Sequence, residues 1–426
     1  MAKPKAPAGL SLRLAAADRL QKVLQGASFS PLAASEIADP RDRALANRLV
    51  TTALRYHGPI SRLIGDLLER GLPKKSGRFE AVLRLSLGQL LFLPDAGDHS
   101  ALFVAGEAMR ADPKSQHLIK LMNGVLREAQ RRREGVEVKA STLFPPGLLQ
   151  MWRMAYGAEA VEAFGSALIE GAPLDMTLKA DDPGLGASPV LADTVRLVER
   201  DRAVDQLPGY GEGRFWVQDA AAAIPARLLK LEPGARVLDL CAAPGGKTAQ
   251  LVKSGYRVTA LDRDPMRVER LTQNLARLAY TAEIVTADAA DYAPAAPFEG
   301  VLLDAPCSAT GTFRRHPEVV WHRNEADIAG RVGLQQRLIS QAASCLNPGG
   351  VLVYCVCSLE PQEGERQAEW AIAQGLAVYP ILAAELDGWA APVTKDGFVR
   401  THPGLTVPGE KGGTLDGFFI ARFRRA

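Results

Sequence analysis

No stretch of the chain approaches 18 uninterrupted apolar residues, so no membrane span is read from it. Cysteine is scarce. The five present (Cys241, Cys307, Cys345, Cys355 and Cys357) are an odd number, and their spacing is not that of a disulfide framework. The first ten residues, MAKPKAPAGL, are basic but lack the apolar run and cleavage site of a secretory leader. These absences point to a reducing cytoplasm, where free thiols are available for chemistry. A strong charge of one sign is also missing. With 51 basic and 48 acidic residues the net charge is +3, which excludes a uniformly basic nucleic-acid coat protein. It does not exclude a nucleic-acid enzyme with local basic patches. There is no internal repeat. What is present is ordinary globular material, 47% hydrophobic and 23% charged. That is enough for more than one core and too apolar for a disordered chain. The 426 residues suggest two or three domains.

The near-neutral total hides an asymmetry. Residues 1–140 carry 23 basic and 14 acidic groups, and residues 141–426 carry 28 and 34. The first part therefore holds the basic surplus expected of a module that docks on RNA phosphates. Within it, apolar residues recur at helical spacing over 12–24, 43–54, 60–68, 79–93 and 118–126, punctuated by Pro31, Pro59, Pro73, Pro94 and Pro113. This predicts an all-α bundle over residues 1–135. Residues 134–146 read as a linker. Residues 136–230 hold this linker and a small α+β substrate-binding subdomain with strand candidates at 174–180 and 194–198. From Ala235 strands and helices alternate: strands at 236–240, 257–262, 283–287, 300–304 and 351–357, helices at 247–253, 265–278 and 328–346, and a last strand at 417–423. That alternation predicts an α/β doubly wound sheet over residues 231–426.

The first of these strands runs into the turn Cys241-Ala242-Ala243-Pro244-Gly245-Gly246-Lys247-Thr248. A Gly-rich turn between strand and helix lets backbone approach a ligand closely. A phosphate loop would need glycine where Cys241 stands, and the dinucleotide fingerprint G-x-G-x-x-G is absent, so the turn suits a ligand with little phosphate. Asp262 ends the second strand, where a carboxylate can accept bonds from ribose hydroxyls. Asp288 ends the third, near where an adenine ring would lie. Either could instead merely cap the following helix. Together with the turn they favour an adenosine ligand without phosphate, which is what S-adenosylmethionine provides.

Two further strand ends carry thiols, in Asp304-Ala-Pro-Cys307 and Cys355-Val-Cys357. If the strands are neighbours, their backbones lie about 4.8 Å apart and both thiols sit at the carboxyl edge where open α/β sheets bind ligands. Cys241, Cys345 and Cys355 read as small buried hydrophobes. The chemistry of a thiol pair fits a cytosine ring. A thiolate added to carbon 6 makes carbon 5 nucleophilic enough to take a methyl group. An acid near N3, for which Asp304 is placed, stabilises the charge that develops. A base must then remove the carbon 5 proton. A metal reading is weak, because Cys355 and Cys357 have no third or fourth ligand nearby in sequence.

The motifs CAAPGGKT (241–248), DAPCSATGT (304–312) and YCVCSLEPQEGE (354–365), in this order, resemble those of the RNA cytosine-5 methyltransferases that share the Fmu/Sun and nucleolar p120 fold. The resemblance implies a Rossmann-like class I methyltransferase sheet. It implies Cys357 as nucleophile, Cys307 as the group that assists release of the covalent adduct, and Asp304 facing the base. It further implies that Cys241, Ala242, Ala243, Pro244, Gly245, Gly246, Lys247, Asp262, Asp288 and Asp304 hold S-adenosylmethionine, with Lys247 near its methionine end or the active site. No metal is implied. In the first part of the chain, DRALANRLV, DHSALFVAGEAM and MNGVLREAQRR resemble a NusB-like RNA-binding domain. That fusion characterises a group of small-subunit (16S) ribosomal RNA methyltransferases. The implied partner is ribosomal RNA with a single-stranded or flipped-out cytosine, since carbon 6 is blocked within a duplex; a monomer is expected. The sequence departs from the family at Val356, where many members carry Thr, and at Gly364, where many carry Asn.

Two alternatives stand beside this reading. One is the same chemistry on transfer RNA. The other is a non-catalytic RNA-binding or ribosome assembly factor, against which Asp304, Cys307 and Cys357 argue. An exocyclic amino methyltransferase would show Asn/Asp-Pro-Pro-aromatic after the fourth strand, and Asp304-Ala-Pro-Cys307 does not match. Arg314 and Arg315, beside the proposed edge, are expected to contact phosphate. The run Arg131-Arg132-Arg133 reads first as a solvated face, and Trp321 as half-buried core.

Overall fold

The computed structural model describes residues 7, 9–197, 203–408 and 413–426. They divide into two compact units, one drawn from residues 1–151 with 316–322, the other from 152–315 with 323–426.

The first unit is helical, with α1 (Leu10–Leu24), α2 (Pro40–Arg55), α3 (His57–Leu67), α4 (Phe79–Phe92), α5 (Asp98–Arg110), α6 (Ile119–Arg131) and the short α7 (Ala140–Leu143). Helix α4 is the hub. It packs against α1, α2, α5 and α6 and is buried on nearly every face. Its one buried amide, Gln89, is fully used: Arg13 Nη2 donates to Oε1 at 3.0 Å, and Nε2 donates to the carbonyls of Ala96 and Gly97. Helix α2 starts where Asp39 accepts from the backbone N–H of Arg41 and Asp42, with Pro40 in the first turn. Helix α5 is absent from the apolar periodicity because its buried positions mix the small Ala101, Ala105, Gly106 and Ala108 with Val104 and Met109, while Phe103 is exposed. Helix α7 lies in the segment expected as linker. Residues 316–322, though far along the chain, belong to this unit. There the Phe29 N–H donates to Glu318 at 2.8 Å, and His57 packs on Trp321 with ring centroids 4.7 Å apart. Trp321 is half-buried, as expected.

Helix α8 (Pro146–Glu170) follows, broken at Gly157. The second unit then contains a small antiparallel sheet in the order β2-β3-β1-β4, from β1 (Leu174–Leu178), β2 (Ser188–Leu191), β3 (Thr194–Leu197) and β4 (Phe215–Val217). The expected strand at 194–198 is found over 194–197, and Val198 lies outside the described residues. A bidentate ion pair between buried Arg196 and Asp175 joins β3 to β1.

After the short helix α9 (Ile224–Arg227) comes the main sheet: β5 (Arg236–Leu240), α10 (Gly246–Lys253), β6 (Arg257–Asp262), α11 (Pro265–Arg277), β7 (Glu283–Thr286), β8 (Phe298–Asp304), α12 (Glu325–Ser344), β9 (Leu346–Val356), α13 (Glu365–Ala373), β10 (Ala377–Val378), β11 (Val399–Thr401) and β12 (Phe418–Arg424). Strands β7-β6-β5-β8-β9 are parallel, and β12 lies antiparallel beside β9 and carries β10 and β11. The chain winds outward from β5 to β7 and then returns to β8 on the other side of β5. The order therefore reverses between β5 and β8, and the carboxyl ends of these strands open the crevice in which such sheets bind ligands. This is the doubly wound sheet expected from the alternation. The antiparallel pairing of β12 and the two-residue β10 are features that hydrophobic pattern alone does not specify.

Candidate active site

Strand β5 delivers the Gly-rich turn to the crevice. Gly245 caps α10 at φ 102°, in the left-handed region where glycine carries no Cβ penalty. The first N–H groups of α10 have no partner within the helix and face the turn. Behind them lies Asp239, an acid between the apolar residues Leu238 and Leu240 of β5. Its Oδ2 accepts from Thr248 Oγ1 at 2.6 Å, while Oδ1 is buried with no partner. Burial pushes this carboxyl up to about 7. Thr248 and Lys247 oppose the shift, and the charges of Asp304 and Asp262 add to it. Asp239 was not singled out in the sequence, although its position one residue from the strand end next to a Gly-rich turn was the available signal.

Asp262 ends β6 and is buried. It accepts from the N–H of Ala243 and of Asp264, both at 3.2 Å, and Arg267 approaches at 3.4 Å. The cap of α11 is a different residue, Asp264, which accepts from Met266 and Arg267. Asp288, past the end of β7, is exposed, and its Oδ1 accepts from the N–H of Ala290 in a local turn. The thiol of Cys241, at φ 62°, is pushed up to about 12 by burial and by the three surrounding aspartates.

On the other side of the crevice β8 and β9 are neighbours, with Asp304 opposite Cys355 in the register. Lys247 Nζ donates to Asp304 Oδ2 at 2.8 Å, and the Cys355 thiol donates to Oδ1 at 3.5 Å. Burial alone would lower the Lys247 ammonium; the negative charge of Asp304 outweighs it and holds the lysine protonated. Cys355 is thus buried, as expected, but also a partner of Asp304. Cys307 and Cys357 meet with their sulfurs 3.5 Å apart. The hydrogen bond with Cys357 and then burial push the Cys307 thiol well up, so Cys307 keeps its proton at neutral pH. Cys357, just past β9, is half-buried. The two thiol-bearing loops are also tied through backbone: the Gly311 N–H donates to the Cys357 carbonyl and the Ala305 N–H to that of Cys355. Cys345 is buried away from this cluster, near the Tyr292 carbonyl.

Both departures from the family pattern have a local reason. Val356 is buried in the apolar core beside Phe419, its partner in β12. Gly364 lies where a Cβ would come within 2.2 Å of Arg400 Nη2 and 2.9 Å of the Phe419 ring. Arg400 cannot retreat easily, since it is buried, pairs bidentately with Glu365 and donates to the Ser358 carbonyl at 2.6 Å.

The expectation for Arg314 and Arg315 is corrected. Arg314 is completely buried and pairs with Asp219 and Asp416, and Arg315 pairs with the same two carboxylates. Two guanidinium groups sharing two buried acids are compensated internally and tie the loop after Cys307 to the segment before β12. Of the basic run at the end of α6, Arg131 and Arg132 reach Glu128, and Arg133 reaches Asp98. Among the described residues no group of three or more His, Cys, Asp or Glu is placed to hold a metal ion. Among them, too, no helix is long and apolar enough to cross a membrane.

Comparison with known proteins gives a consistent picture. The family model described as 16S rRNA methyltransferase RsmB/F matches residues 226–424, and that of the NusB family matches residues 11–131. A protein of Xanthomonas campestris named ribosomal RNA small subunit methyltransferase B is 37% identical, over 100% of both chains. One of the same name from Erwinia tasmaniensis is 33% identical over 97% of this chain and 98% of its own. Among solved structures, PH0851 superposes with a TM-score of 0.79 at 21% identity, covering 99% of this chain and 100% of that one, which shows a common fold. A methyltransferase homolog protein from Pyrococcus horikoshii has a TM-score of 0.54 at 26% identity and covers 65% of this chain and 94% of that one.

Proposed function

The chain belongs to the ribosomal RNA small subunit methyltransferase B family, with S-adenosylmethionine as cofactor, and on that premise we propose that it methylates carbon 5 of a cytosine in small-subunit (16S) ribosomal RNA through a covalent bond to Cys357. The observation that carries this reading is the meeting of Cys307 and Cys357 at 3.5 Å beside the Lys247–Asp304 pair.

S-adenosylmethionine supplies an electrophilic methyl group on its sulfonium. The residues of the crevice fit that cofactor. Asp239 Oδ1 is a buried acceptor lacking a donor, suited to an α-ammonium, and the open N–H groups of α10 suit a carboxylate. Asp262 would accept from the ribose hydroxyls, and Asp288 and residues 241–247 would complete the set that holds the cofactor.

Toward the base, the Cys357 sulfur bonds to carbon 6, and the displaced π pair settles toward N3. Asp304 faces N3. The Lys247 ammonium hydrogen-bonded to Asp304 supplies the positive charge and the proton that this position takes up. Carbon 5, now enamine-like, would take the methyl group, whose bond to the sulfonium sulfur would break with its electron pair left on that sulfur. Carbon 5 then loses its hydrogen as a proton to water, N3 returns its proton to Lys247, and the carbon 5–carbon 6 double bond re-forms as the Cys357 sulfur leaves with its bonding pair. Cys307 holds a proton beside that sulfur and assists its departure. The target base must be unstacked to reach the thiols. A cytoplasmic, monomeric enzyme acting on RNA is the corresponding setting.

Bisulfite sequencing of total RNA from cells with and without the protein tests the reading. One protected cytosine in small-subunit ribosomal RNA should become convertible when the protein is absent. An unchanged ribosomal pattern, or a change confined to transfer RNA, overturns it.

The cofactor assignment makes a separate prediction at Asp239. Its folded-state carboxyl lies above the ordinary value of 3.8, so ionising it opposes folding. Stability from this group is full below about pH 4 and is lost as pH rises toward about 7. Asp239→Asn should therefore raise the Tm of the ligand-free protein at pH 7 and above, with the gap closing near pH 4. It should weaken S-adenosylmethionine binding by about 10- to 100-fold by titration calorimetry. A Tm gap independent of pH, or unchanged affinity, contradicts the assignment.

A further inference from the structure

The two thiols lie on different loops, 50 residues apart in sequence. Something must fix their separation, and the sulfurs' own weak contact is not enough. The residue that follows each cysteine is a serine, Ser308 and Ser358, and both are completely buried. One carboxylate binds both. Glu363, itself completely buried, accepts from the Ser308 N–H at 2.9 Å on Oε1 and 3.1 Å on Oε2, and Oε2 also accepts from the Ser308 and Ser358 hydroxyls. Gln335 Nε2, on α12, donates to Oε1 at 3.0 Å and also to the carbonyl of Pro306, the residue before Cys307. The hydroxyls of Ser308 and Ser358 are 3.0 Å apart. Glu363 is fixed in turn, because the Tyr354 hydroxyl of β9 donates to its carbonyl at 2.6 Å.

A buried carboxylate needs several donors to offset its desolvation, and here every donor comes from the thiol loops or from the helix behind them. We propose that Glu363 is a positioning residue for the thiol pair: by clamping Ser308 and Ser358 it sets the distance between Cys307 and Cys357. It does not touch the base or the cofactor. The inference rests on the reading of these cysteines as the reacting groups, but the clamp has a readout independent of methylation.

The test uses the full chain with Glu363→Ala, Glu363→Gln and Ser358→Ala. The direct readout is the rate at which diamide oxidises Cys307 and Cys357 to a disulfide, the diamide being reduced, followed by peptide mapping. Glu363→Ala should slow this closure at least about tenfold and lower kcat by about 100-fold, with KM for RNA within about twofold. Glu363→Gln keeps one acceptor oxygen for the Ser308 N–H, and the serine hydroxyls can rotate to accept from its amide. It should therefore recover most of the closure rate and kcat. Ser358→Ala removes the hydroxyl's bonds to Glu363, Ser308, Thr310 and the Glu360 N–H but leaves those between Glu363 and Ser308, so it should give an intermediate loss; it serves as the reporter if Glu363→Ala does not fold. Closure at the wild-type rate in Glu363→Ala, or in Ser358→Ala where that variant stands in, overturns the proposal. So does a loss that appears only in KM. Were Cys357→Ala to retain methylation, the nucleophile assignment would fail while the closure rates still judged the clamp.

Discussion

Cys357→Ala is expected to abolish methyl transfer, by roughly four orders of magnitude or more, and with it covalent capture of RNA containing 5-fluorocytosine. The size of the effect follows from the chemistry. Carbon 5 of cytosine is a poor nucleophile until a group adds at carbon 6, and of the five thiols only Cys241 and Cys357 are partly exposed. Cys241 faces the cofactor turn with its proton held firmly, and Cys355 is buried against Asp304. The substitution removes one sulfur from a half-buried position just beyond β9, so the fold and S-adenosylmethionine binding should be retained. Methyl transfer and fluorocytosine trapping are the measurements. Normal methylation by the variant would mean that the nucleophile has been misassigned.

Cys307→Ala should produce the opposite picture on a gel. Addition to carbon 6 needs only Cys357, so the protein–RNA bond still forms. Departure of the Cys357 sulfur is what Cys307 assists, from 3.5 Å away and with its proton retained by the Cys357 contact and by burial. Without it the adduct should persist through denaturing electrophoresis on ordinary RNA, while multiple turnover is lost. Stability should fall by no more than about 1 kcal/mol, since a small buried side chain is replaced by a smaller one. A variant that turns over freely, with no adduct, removes the release role from Cys307.

Much of this site was legible in the sequence because its parts sit at strand ends. The turn at 241–248, Asp262, Asp304, Cys307 and Cys357 each follow a short apolar run. A parallel sheet collects all such ends on one edge whatever the order of its strands. Helices with one apolar face, such as α2 and α6, were legible from their periodicity. What was hidden depends on partners. Arg314 and Arg315 look like a phosphate-binding pair until Asp219 and Asp416, each about 100 residues away, are brought against them. Glu363 carries no local signal of burial, and Asp239 only its place one residue from a strand end beside the Gly-rich turn; their roles appear when neighbouring elements close over them. Helix α5 was missed because alanine and glycine fill four of its buried positions and the large Phe103 points outward, which blurs the apolar pattern. The segment 316–322 could not be assigned to the first unit by sequence order at all.

The central claim is a bond between one sulfur and one ring carbon, and it is tested most directly by locating that bond. Adduct from Cys307→Ala and ribosomal RNA should be digested with protease and nuclease and the cross-linked peptide sequenced by mass spectrometry. A single nucleotide, a cytidine derivative, is expected on Cys357. A cross-link on any other residue, or no cross-linked peptide from a fully active wild-type preparation trapped with 5-fluorocytosine RNA, would contradict it.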